Sequence, residues 1–117
     1  MKLRAFAISA ALLAPAAASA DVWKVTEGAD GKTKGTWDIS MTGPSFKGVA
    51  TMTGPGGQAV KYNIAGSQQN GGYVFQRIQP SDGVTCAYIG KPRGANAIGG
   101  TSMCNGVNTP WSAVKGN

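Results

Sequence analysis

The chain contains no histidine, which removes the commonest general base, the Ser-His-Asp and Cys-His arrangements, and most transition-metal sites. Acid–base chemistry would fall to the carboxylates Asp21, Glu27, Asp30, Asp38 and Asp82. Asp30 and Asp82 lie in turn sequences, where solvated carboxylates are expected, and nothing in the spacing of Asp38 and Asp82 sets two acids across one cleft. No companion base accompanies any Ser, Thr or Lys as a nucleophile. A thioether set, Met41, Met52 and Met103, would suit Cu(I), but Met41 and Met52 are better read as filling core gaps. Cys86 and Cys104 fall short of the four ligands that zinc needs. The residues therefore predict a non-catalytic protein with no metal and no cofactor.

What remains is binding chemistry. Residues 90–96 place Lys91 and Arg93 on either side of the rigid Pro92, a contact surface with a low ordering cost if the flanking strands are braced. Tyr62, Tyr73, Phe75, Tyr88 and Trp111, with Arg77 near Phe75, form a second candidate set, because rings beside a cation stack on sugars or planar ligands. The candidate binding residues are thus Arg77, Tyr88, Lys91, Pro92, Arg93 and Trp111. The formal charge of +6 includes Lys2 and Arg4, so residues 21–117 carry nine basic and five acidic side chains, a balance of +4. That balance favours an anionic envelope component or an acidic protein surface, while scattered basic residues also serve solubility. No basic run marks a nucleic-acid interface. Gly54-Pro55-Gly56-Gly57 lacks the Lys-Ser or Lys-Thr ending of a phosphate-binding loop and reads as a turn.

These side chains need a scaffold, and the chain start says where it is built. Lys2 and Arg4 precede an apolar stretch over residues 5–14, and Ala18-Ser19-Ala20 is a small-residue cleavage site. Residues 1–20 read as a signal peptide cleaved after Ala20, the apolar stretch being too short for a transmembrane segment. The expected location is the periplasm or the medium, where a Cys86–Cys104 disulfide would persist. Residues 21–117 are then one small domain of about 97 residues.

Two-residue alternation under heavy Gly punctuation predicts an all-β domain, with strands over residues 22–27, 36–42, 46–53, 59–65, 73–79, 84–90, 97–104 and 111–115. Short links of this kind describe a single antiparallel meander, an eight-stranded up-and-down barrel with one disulfide. A four-residue loop from Thr42 to Ser45, around Gly43-Pro44, sets Met41 opposite Phe46, Ile39 opposite Gly48 and Trp37 opposite Ala50. Large residues facing small ones suit a tightly curved sheet. A turn centred on Ala95 sets Cys86 opposite Cys104, within disulfide reach, with a bulge at Gly99-Gly100 as the alternative register.

Gly35-Thr36-Trp37, early in a chain of eight short antiparallel strands, resembles the Gly-x-Trp opening of the calycin barrels, the avidin and lipocalin group. The resemblance implies that Trp37 plugs one barrel end and that a late basic residue, Lys115, packs over it. Avidin's ligand residues have no match, so biotin binding is not implied, and a strand precedes the motif. The resulting expectation is an exported, non-catalytic binding protein of the cell envelope. An inhibitor of a periplasmic or secreted hydrolase, acting through the Lys91 tip, and a structural or antigenic surface protein are the alternatives. A lumen lined by polar groups would favour the first and a filled lumen with an exposed tip the second, so the observation that matters most is whether the interior is open or plugged by Trp37, Met41 and Phe46.

Overall fold

Two-residue alternation sends most of the large apolar side chains inward, although Val49, Ile89, Met103 and Val114 among others face outward and Glu27 and Ser102 face in, and the sheet closes on itself. The computed structural model describes residues 19–116. Its strands are β1 (Ser19–Glu27), β2 (Thr33–Thr42), β3 (Ser45–Thr53), β4 (Ala59–Gln69), β5 (Gly72–Ile78), β6 (Cys86–Gly94), β7 (Ala97–Cys104) and β8 (Val107–Gly116). Each pairs antiparallel with the next, and β1 pairs with β8, giving a closed barrel in sequence order that leaves no sheet edge exposed. Of the leader expected over residues 1–20, residues 1–18 lie outside the described residues. Ser19 and Ala20 begin β1, opposite Met41 and Ser40.

The β2–β3 register is the predicted one: Trp37 faces Ala50, Ile39 faces Gly48 and Met41 faces Phe46. Size complementarity explains it, since a Cβ at Gly48 would come within 2.6 Å of Ile39 Cδ1. Tight turns hold the neighbouring hairpins. Asn70-Gly71 and Asn105-Gly106 both take positive φ at successive residues, the conformation that matches the twist of two-residue hairpins.

Cys86 pairs with Cys104 in register, and the two form the disulfide with a Cα separation of 4.2 Å. The irregularity of this hairpin is not at Gly99-Gly100 but between Pro92 and Gly94, which leaves Arg93 outside the ladder. Pro92 lacks an N–H to donate, so a bulge beside it loses little. Strand β6 therefore extends to Gly94, four residues beyond the expected end at residue 90. Lys91, Pro92 and Arg93 belong to a strand, and the turn proper is only Ala95-Asn96.

One end of the barrel carries the β2–β3, β4–β5 and β6–β7 turns together with the start of β1 and the finish of β8; we call it the mouth. The other four connections close the far end, where the disulfide also lies. Core side chains fill the far and middle levels: Trp37, Met52, Tyr62, Ile64, Tyr88 and Trp111 are all buried. Trp37 meets Phe75 and Tyr88 edge-on, at 5.4 and 5.7 Å between ring centroids, and Phe75 stacks on Tyr88 at 4.7 Å. Gly90 makes room for Trp111, whose Cζ2 would lie 2.5 Å from a Cβ there.

Candidate functional site

Above the Trp37 level the barrel is open. Trp37, Ile39 and Met41 rise along the inner face of β2, and Phe46, Ile64, Tyr73, Phe75, Pro92 and Ile98 complete a cup of about 400 Å³. This volume lies within the roughly 300 to 1,000 Å³ typical of small-molecule sites. From Trp37 to Met41 is four residues of β2, so at about 3.3 Å per residue and a barrel tilt near 40° the cup is about 10 Å deep. Its walls are apolar and its floor is aromatic. Polar groups gather at the rim, where Asp21, Gln68 and Lys115 line the opening. Lys115 Nζ lies 3.7 Å from Asp21 Oδ2 and 5.6 Å above the Trp23 ring. The late basic residue thus packs over Trp23 rather than over Trp37.

The floor is held from below by a buried polar relay. Trp37 Nε1 donates to the Tyr62 hydroxyl at 3.0 Å, and Tyr62 donates to Glu27 Oε2 at 2.5 Å. Tyr88 donates to the same carboxylate at 3.2 and 3.3 Å. Arg77 completes the set, giving Nε to Tyr88 and Nη2 to Glu27 Oε1, each at 2.9 Å. Its guanidinium also lies 4.2 Å from the centre of the Tyr62 ring. The Arg77 and Glu27 side chains are only 8% and 6% exposed, so their charges are compensated within the barrel.

Burial, reinforced by the Glu27 charge, raises the Tyr62 hydroxyl far above the usual phenol range. The same two causes push Tyr88 up to about 12, against a smaller opposing effect of Arg77. Both phenols are therefore neutral donors at physiological pH. Burial disfavours the Arg77 charge, but the oxygens of Tyr88, Glu27 and Tyr62 outweigh it and raise the guanidinium further. Below the relay a second depression of about 280 Å³ opens at the far end, lined by Glu27, Arg77 and Asp82 among others.

The six candidate binding residues separate into two groups. Lys91, Pro92 and Arg93 come together at the mouth: Pro92 lines the cup, and both cations are exposed. Arg77 and Tyr88 lie in the relay at the other end, and Trp111 is a core ring that donates Nε1 to the Ile89 carbonyl at 3.1 Å. Met41 and Phe46 line the cup instead of plugging it. Sequence reasoning missed Glu27 as a buried group. The available signal was parity, because Trp23, Val25 and Glu27 share the inner face of β1, just as Tyr73, Phe75 and Arg77 share that of β5.

The eight-stranded antiparallel barrel is compatible with a calycin-like small barrel. No protein-family model and no curated protein matches this chain.

Proposed function

We propose that the chain is an exported, non-catalytic binding protein of the cell envelope whose ligand is a small apolar molecule seated in the cup. The observation that carries this reading is a preformed apolar cavity of about 400 Å³, open at one end and floored by Trp37. A barrel evolved only for stability would gain by filling such a space, since each unfilled methyl-sized void costs on the order of 1 kcal/mol. The relay beneath Trp37 favours the same reading, because it satisfies every polar group of the floor from below and leaves an apolar surface facing the opening. The signal-peptide pattern read in residues 1–20 and the Cys86–Cys104 disulfide support export, as disulfides persist in oxidising compartments. The lumen is apolar rather than lined by the polar groups expected of a binding module, but it is not filled, and with the Lys91 segment in paired strand rather than a protruding tip we favour binding over hydrolase inhibition.

The test is titration of the purified protein with apolar compounds of graded size, read by the fluorescence of Trp23 and Trp37. Saturable quenching that is lost in the Met41→Trp/Ile98→Trp double variant is expected, because both side chains line the cup and are half-buried. Quenching unchanged by that variant, or none with any compound, would overturn the reading.

A further inference from the structure

The outer wall of the barrel has two unlike halves. On the outer face of β1–β4 stand Lys24, Lys34, Lys47 and Lys61 against the single acid Asp38, a balance of +3 out of the +4 carried by residues 21–117. Strands β5–β8 contain no acid; their outer face shows Val74, Ile89, Met103 and Val114, with Lys91 and Arg93 only at its mouth end. Strand register orders the basic half further. Lys24, Thr36, Thr51 and Lys61 lie side by side in one row across β1, β2, β3 and β4, and Thr26, Lys34 and Thr53 lie in the adjacent row. These two rows hold three lysines and four threonines and no acid, Asp38 standing in the next row between Val22 and Val49. All three lysines are exposed, and among the described residues none of them forms an ion pair. With strands about 4.8 Å apart and same-face residues about 6.6 Å apart along each, the three stand about 8 to 14 Å from one another. A surface shaped for solubility alone intersperses both signs of charge. Here hydroxyls, not acids, separate the cations.

We infer that the outer face of β1–β4 is a docking surface for an extended polysaccharide bearing carboxylates, held by Lys24, Lys34 and Lys61 with the threonine hydroxyls between them. The surface is separate from the cup, whose lining faces inward, and the inference does not depend on what the cup binds. The spacing of the cations selects a polymer. A small anion reaches only one lysine at a time, whereas a chain that crosses both rows engages all three, each contact raising the effective concentration of the next. Threonine hydroxyls both donate and accept, so they pair with sugar hydroxyls as well as with carboxylates. A nucleic acid fits less well, because these two rows contain no aromatic ring and no arginine on which a base can stack. A bilayer also fits less well. The closed sheet makes the wall convex, so a flat surface meets only part of it, and no large apolar side chain stands in these rows to insert.

The experiment titrates the protein with polygalacturonate, a linear polyuronate, by isothermal calorimetry at neutral pH, with neutral dextran, monomeric galacturonate and phosphatidylglycerol vesicles as comparisons. Polygalacturonate should bind at low salt and weaken at least about tenfold as the Debye length falls from about 30 Å to about 8 Å. Dextran and the monomer should not bind measurably. Lys34→Gln/Lys61→Gln should weaken the polymer about five- to twentyfold, the combined effect of two exposed charge contacts. Lys91→Gln/Arg93→Gln removes the same charge from the other half and should change affinity less than about twofold, which separates a placed surface from net charge. Far-UV circular dichroism and melting confirm that each variant is folded. Equal losses in the two double variants would overturn the assignment, as would tighter binding to the vesicles than to the polymer, or no binding of polygalacturonate at low salt. Tryptophan quenching by apolar compounds should be the same in Lys34→Gln/Lys61→Gln as in wild type, so failure of the wall leaves the cup reading standing.

Discussion

Replacing Glu27 by Gln changes one oxygen into an amide nitrogen at the centre of the relay. The carboxylate accepts from Tyr62, Tyr88 and Arg77, all donors. A glutamine offers only one oxygen, so its NH2 must face either the Arg77 guanidinium, donor against donor, or the Tyr62 hydroxyl, whose proton then loses its acceptor. It also leaves Arg77, whose side chain is 8% exposed, with Asp82 at 3.8 Å as its remaining carboxylate partner. Breaking a buried pair by removing one partner costs about 3 to 5 kcal/mol, a large part of the roughly 5 to 15 kcal/mol that a domain has in total. With a urea slope of about 1 to 3 kcal/mol per M, the midpoint should fall by about 2 M. Arg77→Met alone should cost a similar amount, because it strands the carboxylate. The double variant should be less destabilised than the sum of the singles by about 2 kcal/mol or more, since neither charge is then left unpaired. Urea unfolding followed by tryptophan fluorescence measures all four proteins. A Glu27→Gln midpoint within error of wild type, or strictly additive effects, would refute the claim that this relay stabilises the barrel as one unit.

Three further outcomes follow from the same structure. The disulfide spans 18 residues, and closing such a loop is worth about 3 kcal/mol in the chain-entropy model; urea melts with and without reductant should differ by that amount, and identical midpoints would contradict it. Trp37→Ala should cost about 3 to 5 kcal/mol, as for a large buried ring, whereas the exposed Asp38→Ala should stay within about 0.5 kcal/mol; chemical denaturation of each checks both. Tyr62 and Tyr88 are raised in the folded state, so their contribution is intact below about pH 10 and declines above it as the unfolded phenols ionise, by about 1.4 kcal/mol per phenol per pH unit while the folded ones stay protonated. Phenolate absorbance from these two residues should appear together with the loss of circular dichroism between about pH 10 and 12; ionisation with the fold unchanged would contradict it.

Much of the scaffold was legible because period-two alternation and Gly-centred turns are local signals. Trp37, Ile39 and Met41 against Ala50, Gly48 and Phe46 could be registered from the sequence because alternation and a short loop leave little freedom in the pairing, and the structure tightens that loop to Gly43-Pro44 by pairing Thr42 with Ser45. Cys86 opposite Cys104 followed in the same way. The end of β6 was not legible, since Pro92 suggests a turn and only the partner strand shows that it sits beside a bulge. The cup and the relay were legible only in part. Parity puts Glu27 and Arg77 on inner faces, but that they meet depends on barrel closure bringing β1, β4, β5 and β6 to one level, a contact across 50 residues of sequence. Whether inner residues fill the lumen or line a space depends on how their rings tilt, which no local pattern encodes. Lys91 and Arg93 stand out on chain chemistry alone, and the fold leaves both exposed at the mouth end while only Pro92 between them lines the cup.

The central claim is that a ligand enters the barrel and rests on Trp37. Protein-detected NMR during titration with decanol tests it most directly. Saturable shifts at the Trp37 indole N–H and at the Ile39, Met41, Phe46 and Ile98 side chains are predicted, with the outward-facing Val49 and Val114 unmoved. Shifts confined to the outer wall, or none at concentrations that saturate fluorescence quenching, would contradict the account.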